Sequence, residues 1–181
     1  MNSPNFWKEH YQHLWSLSSK KEGFLKHIIF EKTGLELEAY GLGAGESAFI
    51  PGSAEANNNE KGAPDFRVSG KNVFVEVTGP LDLRTMPQSG IWLRPDKLNY
   101  AYCHRDGQDE FFAVYFPAAA EWLVIHADPL FFRHVFQNKG KTDYFERTPV
   151  IRGVKERYIE ISYQNPFVKQ LDELISFLKK I

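Results

Sequence analysis

Two acids in the stretch "APDFRVSGKNVFVEVTGP", residues 63–80, stand where carboxylates do chemistry. Asp65 follows Pro64, and Glu76 lies among β-branched and aromatic residues in Val73-Phe74-Val75-Glu76-Val77-Thr78. The two runs read as strands of a hairpin turned at Ser69-Gly70-Lys71-Asn72. Alternation puts Val73, Val75 and Val77 on one face and Phe74, Glu76 and Thr78 on the other. Glu76 therefore shares a partly apolar face with Phe74. A hairpin brings the two acids together, and such a pair resists desolvation unless a cation or a proton is shared between them. Oxygen-only pairs suit a hard ion such as Mg2+, which takes one or two carboxylates and keeps several waters. That ion lowers the pKa of a bound water and steadies charge on a phosphate.

The elements that must position this pair can be read on either side of it. Ser3-Pro4 reads as a helix start, with Phe6, Trp7, His10, Tyr11, Leu14 and Trp15 at helical spacing. A second helix is expected over roughly 20–32, with Phe24, Leu25, Ile28 and Ile29 on one face and Thr33-Gly34 ending it. "LELEAYGL" alternates as a strand, and residues 43–62, rich in Gly, Ser, Asn and Ala, read as a long mobile loop. After the hairpin and a second loop, "RPDKLNYAYCHR" opens a helix. "EFFAVYF", "EWLVIHA" and "RYIEISY" read as strands, "DPLFFRHVFQN" as a short helix, and "NPFVKQLDELISFLKKI" as a closing amphipathic helix. The order implies an α/β or α+β fold, a mixed sheet with helices on its faces, in one domain of 181 residues.

Composition narrows the class. Charged residues at 25% and hydrophobic residues at 43% are ordinary for a globular chain and exclude general disorder. Aromatics at 15% predict a core and any binding face rich in Phe, Tyr and Trp. One cysteine, Cys103, excludes an internal disulfide and fits a reducing compartment. No apolar run reaches membrane-spanning length, and "MNSPNFWKEHYQHLW" is too polar for a signal peptide, so a cytoplasmic setting without a membrane is expected. The net charge of −1 argues against a generic basic nucleic-acid binder. Basic residues still gather in "SSKKEGFLKH", in "NKGKTDYFERTPVIRGVKER" and around Arg94, Lys97 and Arg105.

Here the chain resembles the PD-(D/E)XK, or restriction-endonuclease-like, nuclease superfamily. The signature is Pro-Asp, a gap across a hairpin, then an acid, any residue and lysine; this chain has Pro64-Asp65 and then Glu76-Val77-Thr78. Glu22 stands where relatives similar to archaeal Holliday-junction resolvases carry a glutamate opening the first core helix. The resemblance spans roughly residues 20–116. It implies a restriction-endonuclease-like core with N- and C-terminal helical additions, acting as a Mg2+- or Mn2+-dependent endonuclease on DNA. Asp65, Glu76 and Glu22 would be the metal-site acids, with the Val77 carbonyl a further ligand. The signature lysine is Thr78, which carries no charge, and Lys97 is the candidate to replace it from the following helix. Tyr100 and Arg94 are candidate backbone contacts, and a homodimer is compatible with cutting two strands. The alternative is an inactive nuclease-like protein that binds nucleic acid or assembles with partners.

Other candidates carry less. His10 and His13 lie one helical turn apart with no third ligand nearby, and read as a solvated face. "GLGAGESAF" lacks the Gly-Lys-Ser of a P-loop, and Ser47 lacks a nucleophile elbow. His104, His126 and His134 read as core or surface histidines, and Cys103 as buried packing.

Overall fold

The computed structural model describes residues 20–41, 62–79, 90–105, 107–116, 122–138, 144–151 and 154–181. The expected N-terminal helix, His10 and His13, and nearly all of the 43–62 loop lie outside them. Helix α1 covers residues 20–33. Leu25 and Ile29, fully buried one turn apart, supply its inner stripe. Thr33 Oγ1 bonds back to the Ile29 carbonyl at 2.7 Å, and Gly34, at φ 74°, donates its N–H to Phe30 O at 2.8 Å. A left-handed residue just past a helix end is where glycine costs least.

Strands β1 (Leu37–Ala39), β2 (Phe66–Val68) and β3 (Val73–Thr78) form an antiparallel meander. The β2–β3 turn is held by Arg67, whose guanidinium donates to Lys71 O at 2.8 Å and Asn72 Oδ1 at 2.9 Å. Strand β4 (Gly90–Leu93) and helix α2 (Pro95–His104) follow. They cross one face so that β5 (Glu110–Tyr115) can run parallel to β3. Strand β6 (Leu123–His126) turns back antiparallel, and helix α3 (Pro129–Asn138) follows it. Strands β7 (Tyr144–Arg147), β8 (Val150–Ile151), β9 (Val154–Lys155), β10 (Tyr158–Ser162) and β11 (Val168–Gln170) precede helix α4 (Leu171–Leu178). The result is a mixed α/β fold with four helices among the described residues. Its six-stranded sheet runs β1-β2-β3-β5-β6-β11, beside a three-stranded sheet β4-β10-β7 and a small β8–β9 pair.

Period-two alternation divides the core in two. On one face Val73, Val75, Phe112, Val114 and Val124 pack with Leu25 and Ile29 of α1 and Leu174 and Leu178 of α4. On the other, Phe74, Phe111, Tyr115 and Ile125 meet α2, α3 and the inward side of the small sheet through Ala101, Phe131, Ile91, Leu93 and Ile161. Glu76 lies on this second face.

Three sequence expectations are corrected here. The stretch before "RPDK" contains a strand, Gly90–Leu93, and is not all loop. The closing segment is not all helix, because Val168–Gln170 first pairs with β6. Asn165 caps the turn that sends it there, accepting Phe167 N–H at 3.0 Å. The region after residue 116 is therefore more than a helical addition: β6 and β11 complete the large sheet, and β7 and β10 build the small one on β4.

Candidate functional site

The pair is set by register. Phe66 lies opposite Val75, so one step outward places Asp65 across from Glu76. The backbone there is clamped from β1, with Tyr40 N–H donating to Asp65 O and Gly41 N–H to Pro64 O, both at 2.9 Å. Asp65 is 7% exposed, and its Oδ2 accepts the Val77 N–H at 2.8 Å. Within a strand a residue's N–H and carbonyl face the same side, so the Val77 carbonyl lies on the Asp65 edge too.

Lys97, in the first turn of α2, completes the cluster. Its ammonium is 2.7 Å from Glu76 Oε2 and 3.9 Å from Asp65 Oδ1, and it donates to the Ala63 carbonyl at 2.6 Å. The Lys97 and Glu76 side chains are each only 15% exposed. The Glu76 carboxylate is thus buried against the Lys97 ammonium as an ion pair. Beside it lies a cavity of about 30 Å³, lined by Pro64, Glu76, Lys97 and Ala113 among others. A buried water needs roughly 10–15 Å³ of such space. Thr78, in the signature lysine's place, donates its hydroxyl to the Trp92 carbonyl at 3.3 Å and so ties β3 to β4.

Electrostatics follow from burial. Desolvation pushes Glu76 from its ordinary 4.5 up to about 8; the Asp65 charge adds to this and Lys97 opposes it. Asp65 is raised as well, chiefly by desolvation, with Lys97 and the Val77 N–H pulling the other way. Burial pulls Lys97 down, but Glu76 and Asp65 outweigh it and hold the ammonium charged. Near neutrality Glu76 thus keeps its proton, with the Lys97 ammonium held charged beside it. Arg94, at the N-cap of α2 and paired with Asp96 at 2.5 Å, is a further positive charge felt by both acids.

The structure brings together Asp65, Glu76, Lys97 and the Val77 backbone. Glu22, half-buried on α1, does not join the two acids in a group of three that could hold a metal. No group of three or more His, Cys, Asp or Glu able to hold a metal occurs among the described residues. Tyr100 lies one turn beyond Lys97, its hydroxyl 3.1 Å from that of Tyr40. Cys103 is exposed, which corrects the expectation of buried packing. His126 pairs with Glu110 at 2.6 Å and His134 with the Tyr144 hydroxyl at 2.8 Å, away from the acids.

Sequence reading missed the Ala63 carbonyl and the glycine that lets α2 come so near. Gly62 has φ 87°, and a Cβ there would overlap the Asp96 carbonyl. Its signal was present, a glycine two residues before Pro64, but the packing partner was not legible. Gly62→Ala should cost about 2–4 kcal/mol, from backbone strain plus overpacking. Urea unfolding reads this, and an unchanged midpoint would show that α2 does not lean on Gly62.

The donor set is all oxygen, the Asp65 and Glu76 carboxylates and a strand-edge carbonyl, and it fits a hard divalent ion. No helix among the described residues is long and apolar enough to cross a membrane. No family model, curated protein or solved structure matches the chain.

Proposed function

We propose that this protein is a metal-dependent endonuclease of the restriction-endonuclease-like kind that hydrolyses phosphodiester bonds in DNA. The single observation supporting it is the convergence of Asp65, Glu76 and Lys97 across a hairpin and a helix start, in place of the missing strand lysine. Asp65 and Glu76 would hold Mg2+ or Mn2+, with the Val77 carbonyl on the same edge. When bound, such an ion supplies a Lewis acid for the phosphate and acidifies its water. The chain's own contribution is positioning. The Val77 N–H fixes the Asp65 carboxylate, the apolar floor of Phe111 and Leu93 excludes bulk water, and the Lys97 ammonium holds a water or phosphate oxygen beside the acids. Arg94 stands at the rim to meet a backbone phosphate. The reading rests on these residues and does not require Glu22.

Incubation with supercoiled plasmid and Mn2+ tests it. Nicking or linearisation is expected from the wild type and none from Asp65→Asn, which keeps the volume but removes a ligand charge. Cutting by Asp65→Asn at the wild-type rate would remove the site from the chemistry. One observation favours a second reading, a non-catalytic nucleic-acid-binding or assembly protein: no third acid joins the pair among the described residues. Melting with and without Mn2+ separates the two, since a loaded site stabilises the fold and a decayed one does not.

A further inference from the structure

The small sheet has an outward face that the acid pair does not use. Ile91, Leu93, Ile161 and Tyr144 point into the core. Alternation therefore turns Trp92, Glu160, Phe145, Tyr158 and Arg147 the other way. Registers align them: Glu160 is flanked by Trp92 and Phe145, and Tyr158 lies opposite Arg147. Glu160 is only 2% exposed although it faces outward. It accepts the Trp92 indole N–H at 2.9 Å and the Arg147 Nε–H at 2.6 Å, locking both side chains. The Trp92 and Tyr158 rings lie 5.5 Å apart, and the Arg147 guanidinium stands 5.3 Å over Phe145, which is 37% exposed.

We propose that this face is a stacking platform for an unpaired stretch of the nucleic-acid strand whose backbone is cut at the acid pair. The inference rests on the proposed nuclease reading for its substrate class. Three features select the occupant. Charge is layered: Arg94 and Arg147 are 54% and 45% exposed while their acid partners Asp96 and Glu160 are 17% and 3% exposed, so positive charge lies uppermost. Position is continuous, because Arg94 directly follows Leu93 at the end of β4, whose Trp92 lies on the platform, and caps the helix that carries Lys97 to the acids. Shape is planar: rings and a guanidinium lie on three neighbouring strands, about 10 Å across, as on sheet platforms that take two or three splayed bases. A duplex offers no unstacked base to such a surface. The buried Glu160 also sets Trp92 and Arg147 before any ligand arrives, so less ordering entropy is lost on binding.

Binding can be read without catalysis, by fluorescence anisotropy in EDTA, using labelled oligothymidylate and a labelled duplex of equal length. The single strand should bind about tenfold or more tightly than the duplex. Phe145→Ala should weaken single-strand binding about fivefold or more, the lower end for one stacked base. Arg147→Lys keeps a charge on Glu160 but loses the planar fork, and should weaken binding similarly while far-UV circular dichroism stays unchanged. Both variants should keep the wild-type Mn2+ melting shift. Equal affinity for duplex, unaltered binding by both variants, or no binding to either nucleic acid, which would leave the face to a protein partner, each overturns the proposal. Loss of the wild-type Mn2+ shift alone would count against the nuclease reading and leave the platform standing.

Discussion

Glu76→Gln should abolish cleavage, leave the metal-free protein folded, and flatten most of the fall in its stability between about pH 5 and pH 9. The wild-type slope follows from where the proton sits. The folded-state Glu76 titrates near 8 against an ordinary 4.5. Below about pH 4.5 both folded and unfolded chains hold that proton, and the contribution from its tighter binding in the fold is fully present. As the pH rises from there, the unfolded chain ionises first and stability falls; above about 8 the loss is complete. Asp65, also raised, acts with the same sign, while the raised Lys97 keeps its contribution throughout this range and adds no slope. Because the acids and Lys97 share the effect, the wild-type loss is on the order of 3 kcal/mol. Glutamine keeps the volume and has no proton to lose. Urea midpoints measured across the range give the answer, and parallel curves for the two proteins would show that Glu76 does not carry the buried proton.

That pair was legible because its geometry is local. Two strands, a four-residue turn and period-two alternation suffice to place Asp65 across from Glu76, and both the turn residues and the β-branched run are written in consecutive sequence. Lys97 was legible only as a candidate. Its helix signal, Pro95 at the first position, is local, but its closeness to Ala63 depends on a glycine thirty-five positions earlier in the chain. Of the small sheet only its central strand β10 was legible, in "RYIEISY". Gly90–Leu93 is short and sits between turn-like stretches, and it becomes a strand because β10 pairs with it some seventy residues later. The same holds for Glu160: an acid in an alternating strand normally faces water, and only the cross-strand Trp92 and Arg147 bury it. Propensity reaches across a turn and not across a sheet assembled from distant segments.

Replacing Lys97 should separate two consequences that a purely water-orienting lysine would not separate. Its ammonium already sits between the two acids, 2.7 Å from one and 3.9 Å from the other, carrying positive charge where a divalent ion would be held. Lys97→Met keeps much of the stem and removes that charge. Cleavage should fall about a hundredfold or more, as on losing a positioned catalytic group. Mn2+ binding should tighten about tenfold or more, because a like charge a few ångströms away is no longer repelling the ion in a poorly solvated site. Isothermal titration above about pH 8, where Glu76 is largely ionised in the wild type, measures the second effect free of the first. Thr78 then offers a return path. Two residues from Glu76 on the same strand, it projects from the same face, and its hydroxyl is spent on the Trp92 carbonyl. Thr78→Lys added to Lys97→Met gives up that single hydrogen bond and restores an ammonium beside the acids. The double variant should recover at least about a tenth of the lost activity and weaken Mn2+ binding again. If Lys97→Met cuts normally, the lysine has no part in the reaction. If it loses activity with unchanged Mn2+ affinity, Lys97 orients water without contesting the metal's place.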